Sequence, residues 1–303
     1  MDISLQQLRM LREVAERSTI AAAAESLAFT PSAVSQQLSN LEKATGVAVL
    51  ERVGRNVQLT DAGRELVRHA DALLTQMEAA RAALEVVANE VRGELTISVY
   101  ESVAATLLRP LLTTVADLHP DLVIRTRQLD PDDAVVALAR GDIDLAFTID
   151  YPHAPSSVRD DVVRDDLLVD PFFAVVPTDD PITGPSVPLA DLADRRFIAS
   201  PRTASCGRCV LAACRSVGFE PDVHHEVDDY QTMMRLAAAG AGVAMVSSLG
   251  LRAPVEGVRA IELTPGFSRV VQLAYRATSA DRPAIAEIRR IAGDVASAGA
   301  SPQ

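Results

Sequence analysis

The sequence predicts a small helical region, then one long helix, then a larger region of alternating strands and helices: an α plus α/β fold class. Three observations support this. Apolar residues recur at helical spacing in the first sixty residues, and a narrow apolar stripe runs without proline through residues 60–92. From residue 93 onward, strand-like runs alternate with helical runs. The 303 residues suffice for two or three domains of ordinary size.

Three helices are predicted in the first sixty residues. Apolar residues at helical spacing indicate a first helix over residues 4–17. Thr19 is placed to cap a second helix over residues 21–27. Thr30, followed by a proline, is a helix-start signal, and the third helix is expected to end at Gly46.

The third helix has an unusual polar face. Its apolar residues lie on one side, and the opposite side carries the uncharged side chains of Ser32, Ser35, Gln36 and Ser39. Amide and hydroxyl groups match the donors and acceptors of the DNA major groove, where a glutamine side chain brackets an adenine edge. A polar surface helix without a partner explains this helix alone equally well.

A predicted hairpin after the third helix favours the DNA interpretation. Strand-like residues 49–52 and 57–59 flank a turn at Gly54, Arg55 and Asn56. A wing of this kind reaches the phosphate backbone beside a recognition helix, and Arg52 and Arg55 would supply its cations. Together these elements predict a winged helix-turn-helix over residues 1–60.

These residues resemble the amino-terminal signature of LysR-type transcriptional regulators. The matching stretches are Ala21-Ala22-Ala23-Ala24-Glu25-Ser26-Leu27, Thr30-Pro31-Ser32-Ala33-Val34-Ser35-Gln36-Gln37-Leu38, Leu41-Glu42, Gly46, Glu51-Arg52 and Leu59-Thr60-Asp61-Ala62-Gly63. Leu50 departs from the pattern, because the family usually has phenylalanine there. The resemblance implies a sequence-specific regulator that binds double-stranded DNA. The positions it implies as DNA contacts are Ser32, Ser35, Gln36, Ser39, Arg52 and Arg55.

Residues 61–92 predict one long helix that dimerises. Its apolar positions alternate in steps of four and three, which is typical of a coiled-coil seam. A helix packed against its own domain is the alternative. We expect a dimer or a dimer of dimers, because paired recognition helices read palindromic sites, and the family resemblance extends to this helix. The expected seam residues are Leu66, Ala70, Leu73, Met77, Ala80, Leu84 and Val87.

Residues 93–303 predict a regulatory α/β domain. The alternation of strands and helices gives parallel sheets covered by helices. Residues 141–146 and 237–244 resemble parts of the LysR-type effector-binding domain, which has two lobes folded like a periplasmic binding protein. The resemblance implies lobe I over 93–166 and 268–303, and lobe II over 167–267.

A small-molecule effector is expected beyond the carboxyl ends of the strands. Helix starts near Ser102 and Ser205, with the nearby cation of Arg202, favour an anionic effector, whereas Glu101 would repel one. Loop serines and threonines are often only helix caps, which is the alternative for each position. The proposed contacts are Ser102, Thr148, Arg202, Thr203 and Ser205.

Three cysteines leave an alternative function open. Cys206 and Cys209 lie at the start of a predicted helix, where thiols are readily activated, so a redox-responsive regulator using this pair is the second hypothesis. Cys206 and Cys214 would lie about 12 Å apart along that helix, too far for one metal ion. We expect no metal and no cofactor. No motif pairs a nucleophile with a base, so we predict that the chain is not an enzyme.

Charge and hydropathy limit the remaining function classes. The net charge is −12, but residues 1–60 are neutral overall, and residues 93–303 carry 19 basic against 29 acidic residues. Weak non-specific attraction to phosphates is therefore expected. No signal peptide opens the chain, and the longest uncharged run, residues 236–251, is too short for a bilayer span. We expect a cytoplasmic protein with no membrane partner, not a secreted solute-binding protein.

Overall fold

The computed structural model describes residues 3–54, 56–152, 159–253 and 255–299. The chain divides into two compact units, Met1–Val87 and Ala88–Gln303, which are described separately. The α plus α/β fold class predicted from the sequence is confirmed. Among the described residues, no helix is both long enough and apolar enough to cross a membrane.

Three capped helices open the first unit. They are α1 (Leu5–Arg17), α2 (Ile20–Ser26) and α3 (Pro31–Thr45). The hydroxyls of Ser4, Thr19 and Thr30 each accept a hydrogen bond from the backbone N–H three residues further on. Gly46 ends α3 with a φ of 74°, a left-handed conformation that glycine adopts without strain. The helix starts predicted from Thr19 and Thr30 are confirmed.

A hairpin and a long helix complete the first unit. These elements are β1 (Leu50–Val53), β2 (Asn56–Leu59) and α4 (Asp61–Ala88). The two strands pair antiparallel, with Leu50 opposite Leu59. The Thr60 hydroxyl caps α4 by accepting a hydrogen bond from the Gly63 N–H at 3.0 Å. The helix has 28 residues and ends before Asn89, whose φ of 49° is left-handed, so it is shorter than the predicted span of 61–92.

One apolar core joins the helices and the hairpin of this unit. Leu11 and Val14 of α1 and the periodic apolar residues of α3 point into it, as their spacing predicted. Leu66 and Val67, near the start of α4, pack against its edge. Its buried members are Met10, Leu11, Val14, Ala23, Ala24, Val34, Leu38, Leu41 and Val49.

In the described part of the chain, the second unit forms a ten-stranded sheet. The strands run in the order β4-β3-β5-β12-β6-β10-β8-β9, and β11 pairs with β6 and β7. Their bounds are β3 (Gly93–Val99), β4 (Leu122–Gln128), β5 (Leu145–Asp150), β6 (Val162–Pro177), β7 (Ser186–Pro188), β8 (Arg196–Ala199), β9 (Asp222–Glu226), β10 (Val243–Ser247), β11 (Val258–Thr264) and β12 (Ser268–Arg276).

Helices connect and cover these strands. They are α5 (Glu101–Val103), α6 (Arg109–Leu118), α7 (Pro131–Arg140), α8 (Ser205–Ser216), α9 (Tyr230–Ala238), α10 (Ser248–Leu251) and α11 (Pro283–Gly299). A π-helical turn, Ala104–Leu108, joins α5 to α6. The helical segment after β3 therefore starts at Glu101, beside the helix start expected near Ser102.

Strand β6 belongs to both halves of the sheet. Its first part, as far as Pro171, pairs with β12, and its second part, from Phe172, pairs with β10 and β11. We call the half built on β3, β4, β5 and β12 the first lobe, and the half built on β7 to β11 the second lobe. Phe172 and Phe267 stack at this junction with ring centroids 4.8 Å apart. The change of pairing partner lies a few residues beyond the boundary expected at 166/167.

In both lobes, parallel pairing brings the carboxyl ends of neighbouring strands to the same edge of the sheet. Strand β3 runs parallel to β4 and β5, and β8 runs parallel to β9 and β10. The carboxyl ends of neighbouring parallel strands lie at one edge of the sheet, where connections leave the core and polar side chains are tolerated. The loops after these strands are therefore the segments where a binding site is expected.

Two helical glycines give a test of the packing. A Cβ on Gly63 would lie 2.1 Å from the backbone oxygen of Val49, whereas a Cβ on Gly293 would meet no atom within 4 Å. Gly63→Ala should lower the free energy of unfolding by about 1–3 kcal/mol, because the helix must shift away from the hairpin. Gly293→Ala, the control, should raise it by about 0.5–1 kcal/mol. Calorimetry of both variants measures the difference, and equal shifts would contradict this packing.

Candidate functional site

The polar face of α3 is presented to solvent by a well-packed helix. Ser32, Ser35 and Gln36 are exposed, and Ser39 is half-buried. The opposite face is buried in the core of the first unit. The Gln36 amide donates a hydrogen bond to Asn40 Oδ1 at 3.1 Å, which orients the side chain along the helix surface. The predicted hydrogen-bonding surface is therefore present and accessible.

The hairpin is tied to α3 through Glu42. Its carboxylate accepts hydrogen bonds from the backbone N–H groups of Val49 and Leu50, at 2.9 and 3.3 Å. Arg52 is exposed on β1 and forms no ion pair with any described residue. Arg55, the other predicted contact of the hairpin, lies outside the described residues. Arg52 thus lies on a hairpin that is anchored to the same helix.

The apolar stripe of α4 is divided into a buried and an exposed part. Leu66 packs against the core of the first unit, and Ala70 is fully buried. These two predicted seam residues pack within the first unit and not against a second copy, because the start of α4 lies in the core of that unit. From residue 73 onward the stripe faces solvent, and Leu84 and Val87 are 72% and 84% exposed. The exposed members are Leu73, Met77, Ala80, Leu84 and Val87.

A cavity of about 560 Å³ is lined by residues of both lobes of the second unit. This volume is within the range of about 300–1,000 Å³ that small-molecule sites occupy. Of the described strands, five end beside it, as the parallel topology predicts. The lining residues that follow those strands are Tyr100 after β3, Leu129 after β4, Tyr151 after β5, Ser200 after β8 and Asp228 after β9.

The cavity wall contains two of the five residues expected to contact an effector. Ser102 and Ser205 line it. Thr148 is buried without a hydrogen-bond partner among the described residues, and it is not part of the wall. Arg202 and Thr203 are exposed outside the wall, and the Arg202 guanidinium lies 3.4 Å from a Glu220 oxygen. The cation expected to attract an anionic effector is therefore turned away.

Arg269 is the main wall residue that the sequence analysis missed. It lies on β12 and is only 3% exposed. Its Nε donates to Asp170 at 2.8 Å, and its Nη2 donates to the Ser102 hydroxyl at 2.7 Å. Tyr100, Phe172 and Tyr230 surround the guanidinium, with ring centroids 5.6–5.9 Å from its carbon. The one available signal was a charged residue within the apolar pattern of a strand.

Both carboxylate oxygens of Asp170 accept hydrogen bonds in this buried pair. One carboxylate oxygen accepts the Ser248 hydroxyl at 2.7 Å and the Leu249 N–H at 3.0 Å, and the other accepts Arg269. A buried ion pair is tolerated when hydrogen bonds replace the lost water. The pair therefore joins β6, β12 and α10 while adding no net charge to the wall.

Three carboxyl groups line the cavity without a compensating cation. They belong to the half-buried Glu101 and to the exposed Asp130 and Asp228, and none forms an ion pair with a described residue. Burial, with the neighbouring Asp229 and Asp228, raises the pKa of Glu101 to about 7. Partial loss of hydration of the carboxyl group, with the charges of Asp132 and Asp228, also raises the pKa of Asp130. The wall is therefore acidic.

Polar contacts connect the two lobes at the rim of the cavity. Glu101 accepts a hydrogen bond from the Tyr230 N–H at 3.3 Å. The Ser205 hydroxyl donates to Asp132 at 2.6 Å, and an Arg208 nitrogen lies 3.4 Å from the same oxygen. These contacts join α5 to α9 and α7 to α8, so a change in the spacing of the lobes must lengthen or break them.

The three cysteines lie in different surroundings. Cys206 is half-buried in the cavity wall, and its sulfur lies 3.9 Å from the Tyr230 hydroxyl. Cys209 and Cys214 are buried, and burial raises the pKa of each thiol to about 12. Among the described residues, no group of three histidine, cysteine or carboxylate side chains is placed to hold a metal ion.

Two family models match this chain. The model described as "LysR substrate binding domain" matches residues 88–297, and the model described as "Bacterial regulatory helix-turn-helix protein, lysR family" matches residues 5–64. The first matches most of the second unit, and the second matches the part of the first unit before residue 65. The α3 face lies within the second match, and the cavity residues lie within the first.

Curated relatives and solved structures match along most of their length. The transcriptional dual regulator GltC of Bacillus subtilis is 29% identical over 80% of this chain and 80% of its own. A probable hydrogen peroxide-inducible genes activator of Mycobacterium leprae is 27% identical, over 96% and 93%. A full-length OxyR variant from Pseudomonas aeruginosa superposes with a TM-score of 0.75 at 20% identity, covering 99% and 96%. The last likeness concerns the fold alone.

The raised pKa of Glu101 predicts a pH-dependent stability. Between the ordinary pKa of 4.5 and about 7, the folded chain retains a proton that the unfolded chain releases. The stabilisation is thus complete below about pH 4.5 and is lost as pH rises through 7. Glu101→Gln should flatten this part of the stability curve, measured by denaturant unfolding at several pH values. The exposed Glu262→Gln is the control, and a Glu101→Gln curve parallel to wild type would refute the assignment.

Proposed function

The chain belongs to the LysR family of DNA-binding transcriptional regulators, and we propose that α3 reads its DNA sites and that a small molecule in the cavity regulates it. The observation that carries the DNA role is the exposed, hydrogen-bonding face of α3. A helix of this kind enters the major groove and contacts base edges, while an adjacent hairpin contacts the backbone. The proposed DNA contacts are Ser32, Ser35, Gln36, Ser39, Arg52 and Arg55.

We assign these contacts different roles. The amide of Gln36 brackets an adenine edge, which carries sequence information. Ser32, Ser35 and Ser39 position the helix against phosphates and neighbouring bases, and Arg52 reaches the backbone from the hairpin. The first sixty residues have no excess of positive charge, so affinity depends on specific contacts made by more than one copy.

The exposed stripe of α4 is the proposed contact with a second copy of the chain. Two α4 helices that pair along Leu73, Met77, Ala80, Leu84 and Val87 bury side chains that are otherwise in water. Pairing also presents two α3 faces to one palindromic site. We therefore propose a dimer, or a dimer of dimers, acting in the cytoplasm without catalytic activity.

The cavity is the proposed effector site. Ser102 and Ser205 are retained from the sequence-based set, and Arg269 is added because it lines the wall and orients Ser102. Arg202 and Thr203 face solvent, and Thr148 is not part of the wall, so we no longer propose that these three residues contact the effector. An effector that alters the rim contacts between the lobes changes their spacing, which couples the cavity to DNA binding.

A redox-responsive regulator is the second candidate. It is favoured by one observation: Cys206 is half-buried in the cavity wall, and Cys209 lies one turn further along α8. In such a mechanism the Cys206 thiolate attacks a peroxide oxygen, releases water or hydroxide and becomes a sulfenic acid. Cys209 would then displace water to form a disulfide. The relative from Mycobacterium leprae is named a probable peroxide-inducible activator, which makes the test worthwhile.

The redox candidate predicts that peroxide changes DNA binding through Cys206. If it is correct, the change should disappear in Cys206→Ser and persist in Cys214→Ser, the matched control, because Cys214 is buried away from the wall. DNA binding is measured by fluorescence anisotropy, and free thiols are titrated in parallel. A wild-type chain whose DNA binding is indifferent to peroxide would eliminate this candidate.

The DNA role of α3 is tested by Gln36→Ala. Loss of one bidentate base contact should cost about 1–3 kcal/mol of discrimination against the wrong base. Binding is measured at fixed salt against an operator selected from the organism's own genome and against variants with single adenine positions replaced. Gln6→Ala, which removes an exposed glutamine from α1, should change nothing. Unaltered discrimination in Gln36→Ala would remove Gln36 from base recognition.

A further inference from the structure

In the cavity wall, the positive charge has a partner of opposite charge, whereas the negative charges do not. Glu101, Asp130 and Asp228 are acidic, and Arg269 is the one cation in the described wall. The Arg269 charge is already neutralised by Asp170 at 2.8 Å. Among the described residues, no comparable cation offsets the carboxylates. A ligand entering the cavity therefore meets a negative electrostatic field.

Asp228 acts electrostatically on both of the other carboxyl groups. The charge of Asp228 raises the pKa of both Glu101 and Asp130, so it lies within electrostatic reach of each. Such repulsion destabilises the wall whenever all three groups are ionised. A bound cation would relieve it, whereas an anion would add to it.

Buried side chains of the wall also carry polar atoms without partners, and the Tyr100 hydroxyl is one of them among the residues described. Tyr151 is 2% exposed and lines the cavity, and its hydroxyl forms no hydrogen bond with a described residue. The Nη1 atom of the buried Arg269 likewise has no partner among the residues described. Polar groups of buried side chains are nearly always satisfied, so these three groups point to a polar ligand.

We propose that the effector is a small organic cation whose protonated amine lies among Glu101, Asp130 and Asp228. A hydrogen-bonding part of the same molecule then contacts Tyr151 and Arg269. This inference rests on the proposed function of the cavity as the effector site. It replaces the anionic effector that the helix starts and Arg202 favoured, because Arg202 pairs with Glu220 outside the wall.

An organic amine fits better than a metal ion. A metal requires several ligand atoms converging at short distance, and no group of three suitable side chains does so among the described residues. Carboxylates spaced around a cavity of about 560 Å³ instead match a charged nitrogen carried on a larger molecule. Tyrosine rings in the wall add favourable contacts to such a cation.

Four probes of equal chain length separate the charge classes. They are 1,4-diaminobutane, 4-aminobutyrate, 1,4-butanediol and succinate. Binding to the full chain is measured by calorimetry at fixed ionic strength and pH 8, above the pKa of about 7 of Glu101. We expect 1,4-diaminobutane to bind at least about tenfold more tightly than succinate, with the zwitterion and the diol between them.

Charge-neutralising variants connect that preference to the wall. Asp228→Asn should weaken diamine binding about tenfold and strengthen succinate binding. Asp228 makes no hydrogen bond to a described residue, so this change should leave folding intact. Asp121→Asn is the control, because it removes the same charge at the opposite end of β4. Its affinities should match those of the wild-type chain.

The outcomes distinguish this inference from the proposed function. Succinate binding as tightly as the diamine would overturn the cationic class, while the cavity would remain the effector site. Failure of both amines to bind at millimolar concentration would overturn it equally. Neither result affects the role of α3, which the Gln36→Ala measurement decides separately. Tighter amine binding that Asp228→Asn weakens and Asp121→Asn does not would support the proposal.

Discussion

The buried ion pair between Arg269 and Asp170 is the interaction on which the second unit depends. It lies where β6 stops pairing with β12 of the first lobe and starts pairing with β10 and β11 of the second. Its hydrogen bonds reach the start of α10 and the Ser102 hydroxyl. Two charges removed from water are costly unless hydrogen bonds replace the lost water. Both carboxylate oxygens of Asp170, and Nε and Nη2 of Arg269, form such bonds, so the pair joins the strand junction to α10 and to the cavity wall.

The same pair determines the electrostatic character of the cavity. A wall arginine suggests an anion site when its charge stands alone, but Asp170 cancels this one locally. What a ligand meets is the remaining charge of Glu101, Asp130 and Asp228, together with unpartnered atoms of Tyr151 and Arg269. The polar face of α3 follows the same logic in the first unit, since its exposed groups form hydrogen bonds and carry little charge. In both places, the informative groups are those whose hydrogen bonds or charges are not fully matched by a partner within the protein.

Local elements followed closely from the sequence because their causes are local. The hydroxyls of Thr19 and Thr30 cap helices that begin immediately after them, and Gly46 adopts the left-handed conformation that ends α3. Parallel strands alternating with helices were likewise expected, and the carboxyl ends of the strands do border a cavity. Errors appeared where a boundary depends on packing. Leu66 and Ala70 belonged to the apolar stripe by spacing, yet the core of the first unit buries them.

The sequence by itself determined the family, the fold class, the helix starts and the hydrogen-bonding face of α3, because each depends on residues within a few positions of one another. Tertiary structure alone decided the cavity wall. Arg269 meets Asp170 across 99 residues and Ser102 across 167, and Ser205 meets Asp132 across 73. No periodicity extends that far, and a loop residue such as Arg202 turns inward or outward according to distant partners. Charge compensation is a property of groups brought together by folding, which is why the wall is acidic although an arginine beside a helix start suggested the opposite.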